Sequence, residues 1–600
     1  MIQTGVPLHL IDWAIVVFYL LIALGIGYYF TKRSASSTEE FFLSGRSLPW
    51  WIAGTSMVAT TFAADTPLAI TELVRSEGIW RNWYWWCLAM GGLLGVFFFA
   101  RLWRRAEVLT DNELIELRYS GKSAAALRGF KALYFALLYN FIVMGWVING
   151  MSAVASVTLG VGRGWAVWGC AIIALFYSTL SGFWGVVVTD FFQFILAMGG
   201  AILLAYLAVD RFGSMASLLE QAKASASFQA DTLQFFPSFD IGSAGFLSSN
   251  LFTFLVFVLV MWWASHNADG GGYIIQRMSS CKNEKHALLA TLWFNLANYA
   301  FRVWPWVVVA VVSMVMFPSL VDDPLGDKAG YPKVMLEVCG PGVLGLLIAS
   351  FLAAFMSTIS THLNWGASYL LNDVYMRFIR PEASQKHYIW AARLATILVM
   401  AGAALTATFM GSIARAWEFI WAMGAGIGPV LIMRWFWWRI NALSEITALA
   451  SSILVTIGFE VIAFVQALQS GAEYALFSKA PVIAGLTFNI QHKALVIVPV
   501  SLVSWLIVTF ISQPVERERL RSFYERVHPG GIWPDEWKQR WGSQRLSGYI
   551  LNWILGVIFI YGATFGIGAL IFTSWATGIC LILAAAIAGY WGVRRALATP

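Results

Sequence analysis

The sequence predicts an all-α protein that crosses a membrane many times and holds two groups of five helices related by inversion. Three observations predict it. Of 600 residues, 59% are hydrophobic and only 12% charged, about half the charge of an average soluble domain. Apolar stretches of roughly 18 residues or more, the length of a membrane-crossing helix, recur from one end of the chain to the other. Two of those stretches, in corresponding places, carry residues that interrupt a helix.

Fifteen spans are expected, at residues 10–30, 48–74, 83–100, 129–157, 164–181, 183–209, 247–276, 287–317, 341–373, 388–411, 416–437, 441–467, 494–513, 548–571 and 574–593. The first follows nine residues without Lys or Arg. It is too long for the core of a secretion signal, so it is read as a retained span. No stretch is long and polar enough for a separate soluble domain. The expected organisation is an N-terminal helix and loop (1–47), a first group of five helices (48–210), an external connection (211–246), a second group of five (247–440) and further helices (441–600). Five is odd, so the second group enters the membrane from the opposite side.

With the N-terminus outside, the inner loops and the tail hold 28 Lys or Arg and the outer segments ten. That asymmetry predicts an N-out, C-in chain. It also accounts for the net charge of +7, since basic inner loops face anionic lipid and no nucleic-acid role is needed. Five scattered cysteines form no CxxC pair, which speaks against a disulfide framework or zinc site. HExxH, P-loop and nucleophile-elbow patterns are missing, and the seven histidines do not cluster, so neither an enzyme nor an organic cofactor is expected. No obligate protein partner is evident. GAGIGP at 424–429 superficially matches a dinucleotide motif, but it lies in a span with no strand before it. It reads as a flexible or closely packed stretch.

The first interrupted span contains TSMVATTFAADTPLAI (55–70), with Asp65 and Pro67 near its middle. The second contains SHNADGGGYIIQR (265–277), with Asp269 followed by three glycines. Each glycine costs roughly 1 kcal/mol in a helix interior. Backbone facing lipid cannot be left unpaired, so irregular backbone at membrane depth lines protein or a water-filled cavity. Two such breaks in matching positions point to a transporter with inverted repeats. The plainer alternative is that Pro67 only kinks a helix and the glycines only permit close packing.

Ser357 and Thr358, with Ser360 and Thr361 one turn on, draw an oxygen-rich stripe through the apolar run 344–371. Hydroxyls and freed carbonyls can hold a hard cation without a costly buried charge, although such hydroxyls also bond back to the preceding turn. Asp190 sits in an apolar span with no basic residue within a turn, a functional position by default. Arg302 lies midway along its span with Asn298 one turn before it, and it is expected to find a carboxylate partner in Asp65 or Asp269. Such a pair either braces the core or meets a charged or zwitterionic solute. Thr66, His266 and Asn267 are the other polar residues near the breaks. Trp262, Trp263 and Trp421 are candidates for stacking or gating among 31 tryptophans, many of which serve as interfacial anchors.

Four stretches carry a family resemblance. EEFFLSGRSLPWW (39–51) resembles the entry to the first core helix of the sodium:solute symporter family. GFWGVVVTDFFQ (182–193) resembles its fifth core helix, YIIQR (273–277) the inner end of its sixth, and AAFMSTISTHLN (353–364) its eighth. The resemblance implies a LeuT-like fold, with one helix before the ten core helices and about four after. It implies a sodium ion between the unwound first core helix and the eighth, held by the carbonyls of Ala59, Phe62 and Ala354 and the hydroxyls of Ser357 and Thr358. For Asp190 it implies a second sodium site or an entry route. In sugar-transporting relatives the positions matching Thr66 and Asn298 touch solute, but an amide and a lysine stand there, so the chemistry differs here. The solute-binding candidates are Asp65, Thr66, Asn267, Asp269, Asn298 and Arg302. The expected function is sodium-coupled import of a small organic solute (sugar, amino acid or carboxylate) by alternating access, in the cell (inner) membrane. A sodium-independent facilitator or channel and a membrane sensor are the alternatives, although the basic amphipathic stretch 514–547 is too short for a kinase module.

Overall fold

The computed structural model describes residues 8–34, 38–180, 183–241, 245–323, 325–471, 479–543 and 546–598. Residues 1–7, Gly182 of the GFWG motif and residues 242–244 of the expected external connection lie outside them. Among the described residues, strand is confined to the pair Val482–Ile483 and Leu486–Thr487. Among the described residues, twelve helical stretches are long and apolar enough to cross a membrane, including Leu10–Tyr29, Glu284–Met316 and Val343–Ile379. The expected span 164–181 forms Arg163–Leu180, and each interrupted span is a pair of helices.

The first break is residues 62–65. The helix Trp50–Thr61 ends at Phe62, whose φ of −96° and ψ of 81° leave the helical region, and Thr66–Glu77 follows. Pro67 stands in the first turn of that second helix, where its missing N–H is no loss and its fixed φ is favourable. It starts a helix rather than kinking one. Gly150, on Asn140–Leu159, seats this break, because a Cβ there would come within 2.7 Å of the Asp65 Cα.

The second break separates Asn250–Ala264 from Gly272–Ser280. Gly270 has φ +127° and Gly271 has φ +73°, conformations that cost glycine little and L-residues much. GAGIGP turns out to be a third break, closely packed on the second. The helix Ile413–Met423 stops, Gly426 adopts φ +87°, and Gly428–Phe436 begins with its own early proline. The Gly426 N–H donates to the Ala264 carbonyl at 2.9 Å. A Cβ on Gly428 would lie 2.0 Å from the Trp263 carbonyl oxygen.

The helix Val343–Ser368 packs against both Trp50–Thr61 and Phe183–Asp210, which brings the hydroxyl stripe, the first break and Asp190 to one place. The final helices, Leu546–Phe572 and Trp575–Ala598, pack on one another, and the first of them lies on the π-helical stretch Leu296–Phe301. Trp553 Nε1 donates to the Met90 carbonyl and the Tyr561 hydroxyl to the Trp86 carbonyl, both at 2.9 Å. The basic stretch near 514–547 docks on the core. Helix Arg517–Val527 buries Leu520, Phe523, Tyr524 and Val527, and Trp533 Nε1 donates to the Trp435 carbonyl at 3.1 Å.

Candidate functional site

Asp190 lies where three helices meet and is fully buried. It accepts hydrogen bonds from Ser56 Oγ at 2.5 Å and from Ser357 Oγ at 2.7 Å. Its sequence neighbourhood holds no cation, but the fold brings one, with Arg277 Nη2 3.6 Å from Asp190 Oδ2. Arg277 also donates from Nε to Ser56 Oγ at 3.1 Å and from Nη2 to Thr361 Oγ1 at 2.7 Å. Arg277 follows the expected span 247–276, where a basic residue reads as a loop charge, whereas it is fully buried.

Next to Ser357 in the chain, Thr358 Oγ1 donates to the Thr60 carbonyl at 2.8 Å and to the Ala354 carbonyl at 3.2 Å. Thr60 and Thr361 share a hydroxyl–hydroxyl bond of 3.0 Å. The plain alternative of back-bonding is thus present at Thr358, together with a bond across to the broken helix. The hydroxyl protons of Ser357 and Thr358 are committed to Asp190 and to carbonyls, so their oxygen lone pairs remain available to a cation. The Phe62 carbonyl, released from its helix, accepts no hydrogen bond among the described residues, while the Ala59 carbonyl accepts only the weakly competing Phe62 N–H at 3.1 Å. This set of neutral oxygens beside one carboxylate suits a hard monovalent cation.

Next to these oxygens lies a cavity of about 190 Å³ that Thr61, Asp65, Thr66 and Arg302 help to line. Arg302 Nη1 donates to Thr61 Oγ1 at 3.2 Å and its Nε to the Asn298 carbonyl at 3.1 Å. Its guanidinium lies over the rings of Trp85 and Trp306, at 5.7 and 5.5 Å. Asn298 Oδ1 accepts from Thr61 Oγ1 at 3.0 Å. Asn298, Asn267, Asp269 and Arg302 border a second cavity of about 240 Å³. The six solute candidates therefore divide between two cavities that share Thr61, Trp85, Tyr139, Tyr273 and Arg302 as a common wall.

The expected Arg302–carboxylate pair is not formed. Asp269 instead pairs with Arg434, Oδ2 to Nη2 at 2.5 Å, and also accepts from Trp435 Nε1 at 3.1 Å. Arg434 reaches Glu445 at 3.4 Å, and Glu445 in turn meets Lys131 at 3.4 Å and the Tyr119 hydroxyl at 2.6 Å. Compact salt-bridge chemistry thus holds Asp269 at the edge of the second break, and no ion pair reaches Arg302 among the described residues. Of the tryptophans singled out, Trp262 borders the larger cavity. Trp263 and Trp421 spend their indole N–H groups on the Leu259 and Met261 carbonyls. His266 faces the Tyr139 hydroxyl at 3.3 Å.

Sequence reasoning missed Ser56, Thr60, Arg277 and the aromatic lining from Trp85, Tyr139, Trp146, Tyr273 and Trp417. The signal for Ser56 and Thr60 was there, six and two residues before the break. The aromatic lining carried none, being spread over four helices in a chain rich in such residues.

Comparison with known proteins gives a consistent result. A family model described as sodium:solute symporter family matches residues 41–454. The sodium/glucose cotransporter of Vibrio parahaemolyticus is 26% identical over 470 residues, covering 74% of this chain and 84% of that protein. Sodium/glucose cotransporter 4 of Danio rerio is 25% identical over 507 residues, covering 77% and 73%. Among solved structures, a Na+-coupled sialic acid symporter in a substrate-bound outward-open state covers 85% of this chain and 99% of its own, with a TM-score of 0.66 at 21% identity. The helices therefore follow the LeuT-like arrangement.

Proposed function

The chain belongs to the sodium:solute symporter family, and from that premise we propose that it imports a small organic solute through the cell membrane with sodium seated between residues 59–62 and 354–358. The observation that carries this reading is the Thr358–Thr60 bond, which ties the hydroxyl-bearing helix to the broken one directly beside the 190 Å³ cavity. An ion at the proposed donors would hold the break in one conformation, and Thr61 and Asp65 of that same segment line the cavity. Ion and solute would each favour the conformation the other needs, which is the thermodynamic content of coupling. Asp190 sits one hydroxyl away from these donors and serves a second ion or the entry route.

In this reading, residues 48–210 and 247–440 are the two inverted repeats, moving against each other around the fixed site, and the chain lies N-out and C-in in the inner membrane. The energetics suffice. One sodium ion crossing 100 mV releases about 2.3 kcal/mol and a tenfold gradient adds about 1.4 kcal/mol, together supporting roughly 500-fold accumulation of a neutral solute.

Thr358→Val keeps the side chain's shape and removes its oxygen. Titrating the melting midpoint of purified protein with sodium chloride is expected to show stabilisation that potassium chloride does not give. In Thr358→Val the sodium concentration for half the effect rises about tenfold, or ~1.4 kcal/mol. Equal stabilisation by potassium, or an unmoved midpoint concentration in the variant, overturns the proposed site.

A further inference from the structure

We propose that the solute of the 190 Å³ cavity is an amino-carboxylate, its ammonium taken by Asp65 and its carboxylate by Arg302, with an apolar body against the aromatic wall. This rests on the symporter reading above and names the solute class for it.

The argument begins with how this protein treats buried charge. Six carboxylates are buried among the described residues. Asp190 faces Arg277, Asp269 and Glu445 share Arg434, and Asp373 pairs with Arg128 at 2.7 Å. Asp12 has no cation partner among the described residues but accepts three backbone N–H groups, from His9, Gly342 and Gly345. Asp65 is the sixth. It is 1% exposed, and among the described residues it forms no ion pair and its Oδ1 has no hydrogen-bond partner. Arg302, 4% exposed, also forms no ion pair among the described residues, and its Nη2 makes no hydrogen bond there. Asp65 and Arg302, neither of them in a contact ion pair among the described residues, line one cavity.

A buried charge without a partner costs several kcal/mol, and such a cost persists where a ligand relieves it. A zwitterion supplies both counterions at once and adds no net charge to the load that sodium must carry. The guanidinium is already oriented by Thr61, by the Asn298 carbonyl and by the rings of Trp85 and Trp306, which suits a planar carboxylate. Trp85, Trp146, Trp417 and Tyr139 line the same space and suit both an apolar body and a cationic head. A neutral sugar would give neither group a contact ion pair, and a simple carboxylate would be repelled by Asp65. Thr61 connects this recognition to the ion, because it touches Arg302 and Asn298 and follows Thr60, whose carbonyl receives Thr358.

The test uses the full chain in nanodiscs, with binding read by calorimetry in sodium and in potassium chloride. The probes are the twenty standard amino acids and glycine betaine. Each probe that binds is paired with its deaminated acid and decarboxylated amine, and D-glucose and D-galactose are included. At least one amino acid or betaine is expected to bind in sodium, with its single-charge analogues weaker by about 30-fold, the usual loss when one buried charge goes unmatched. In Asp65→Asn the preference for that amino acid over its deaminated acid is expected to fall below about threefold, while sodium dependence persists. In Arg302→Gln the preference over the amine falls in the same way. Because these are ratios within one variant, general damage to the fold does not move them. Sodium-dependent binding of a sugar or a lone carboxylate, with no amino-carboxylate bound, overturns the inference and leaves the symporter reading standing. Equal binding in potassium overturns the symporter reading. Unchanged preferences in both variants, or no probe bound at all, overturn the inference.

Discussion

Asp190→Ala is expected to raise the sodium concentration for half-maximal activation by tenfold or more and to lower the melting midpoint of the protein. Two consequences of one deletion combine. The carboxylate is the acceptor for Ser56 and Ser357 and the counterion of Arg277. Its loss leaves a fully buried guanidinium uncompensated, at a cost of about 3–5 kcal/mol. The Ser357 hydroxyl, freed to rotate, no longer holds its lone pairs toward the break. The two effects separate in the double variant Asp190→Asn with Arg277→Gln, which removes both charges, keeps the outline of the Asp190 side chain and leaves a shorter neutral amide at 277. Its melting midpoint is expected to return most of the way, because a matched pair of neutral groups replaces a buried ion pair at little cost. Its sodium activation stays weak. Unchanged sodium activation in Asp190→Ala removes Asp190 from any ion-handling role.

Arg434→Met should destabilise the protein on a similar scale, about 3–5 kcal/mol, and slow transport. Arg434 neutralises Asp269 at one end and meets Glu445 at the other, and Trp103 Nε1 clasps the Asp269 carbonyl at 2.7 Å. This network anchors the second break to the helix Gly428–Phe436 and to the docked segment that covers Trp435. Adding Asp269→Asn to Arg434→Met removes the stranded carboxylate, so the double variant is expected to regain at least half of the lost stability. Additive losses in a denaturation cycle of the two single variants and the double would show that the pair does not couple.

Much of this was legible because a membrane makes some residues conspicuous. Asp65, Pro67 and Gly270–272 stand out in apolar runs where an ordinary helix would exclude them, and both breaks fall where they stood. The paired Ser357 and Thr358 stood out for the same reason, and GRSLPWW marked the entry to the broken helix. What stayed hidden depended on contacts across the fold. Asp269 and Arg434 are 165 residues apart, and Arg277 lay just past an expected span end, where a basic residue looks like a loop charge. An isolated mid-span charge such as Arg302 calls for a carboxylate, but the fold supplies hydroxyl, carbonyl and ring contacts instead. The π-helical stretch Leu296–Phe301 that sets the register of Asn298 and Arg302 has no composition of its own. The GAGIGP break could be read as packing, but its seat against residues 263–266 emerges only when two distant helices meet.

In the proposed site, the Ala59 and Phe62 carbonyls at the end of the helix Trp50–Thr61 and the hydroxyls of Ser357 and Thr358 together hold sodium. Electron cryo-microscopy of the protein in sodium and in potassium, at matched concentration and resolution, tests it most directly. A density peak bounded by the Ala59 and Phe62 carbonyls and the Ser357 and Thr358 hydroxyls is expected in the sodium map, with no peak there in the potassium map. A helix wound continuously through residues 62–65, or two maps alike at this point, would contradict it.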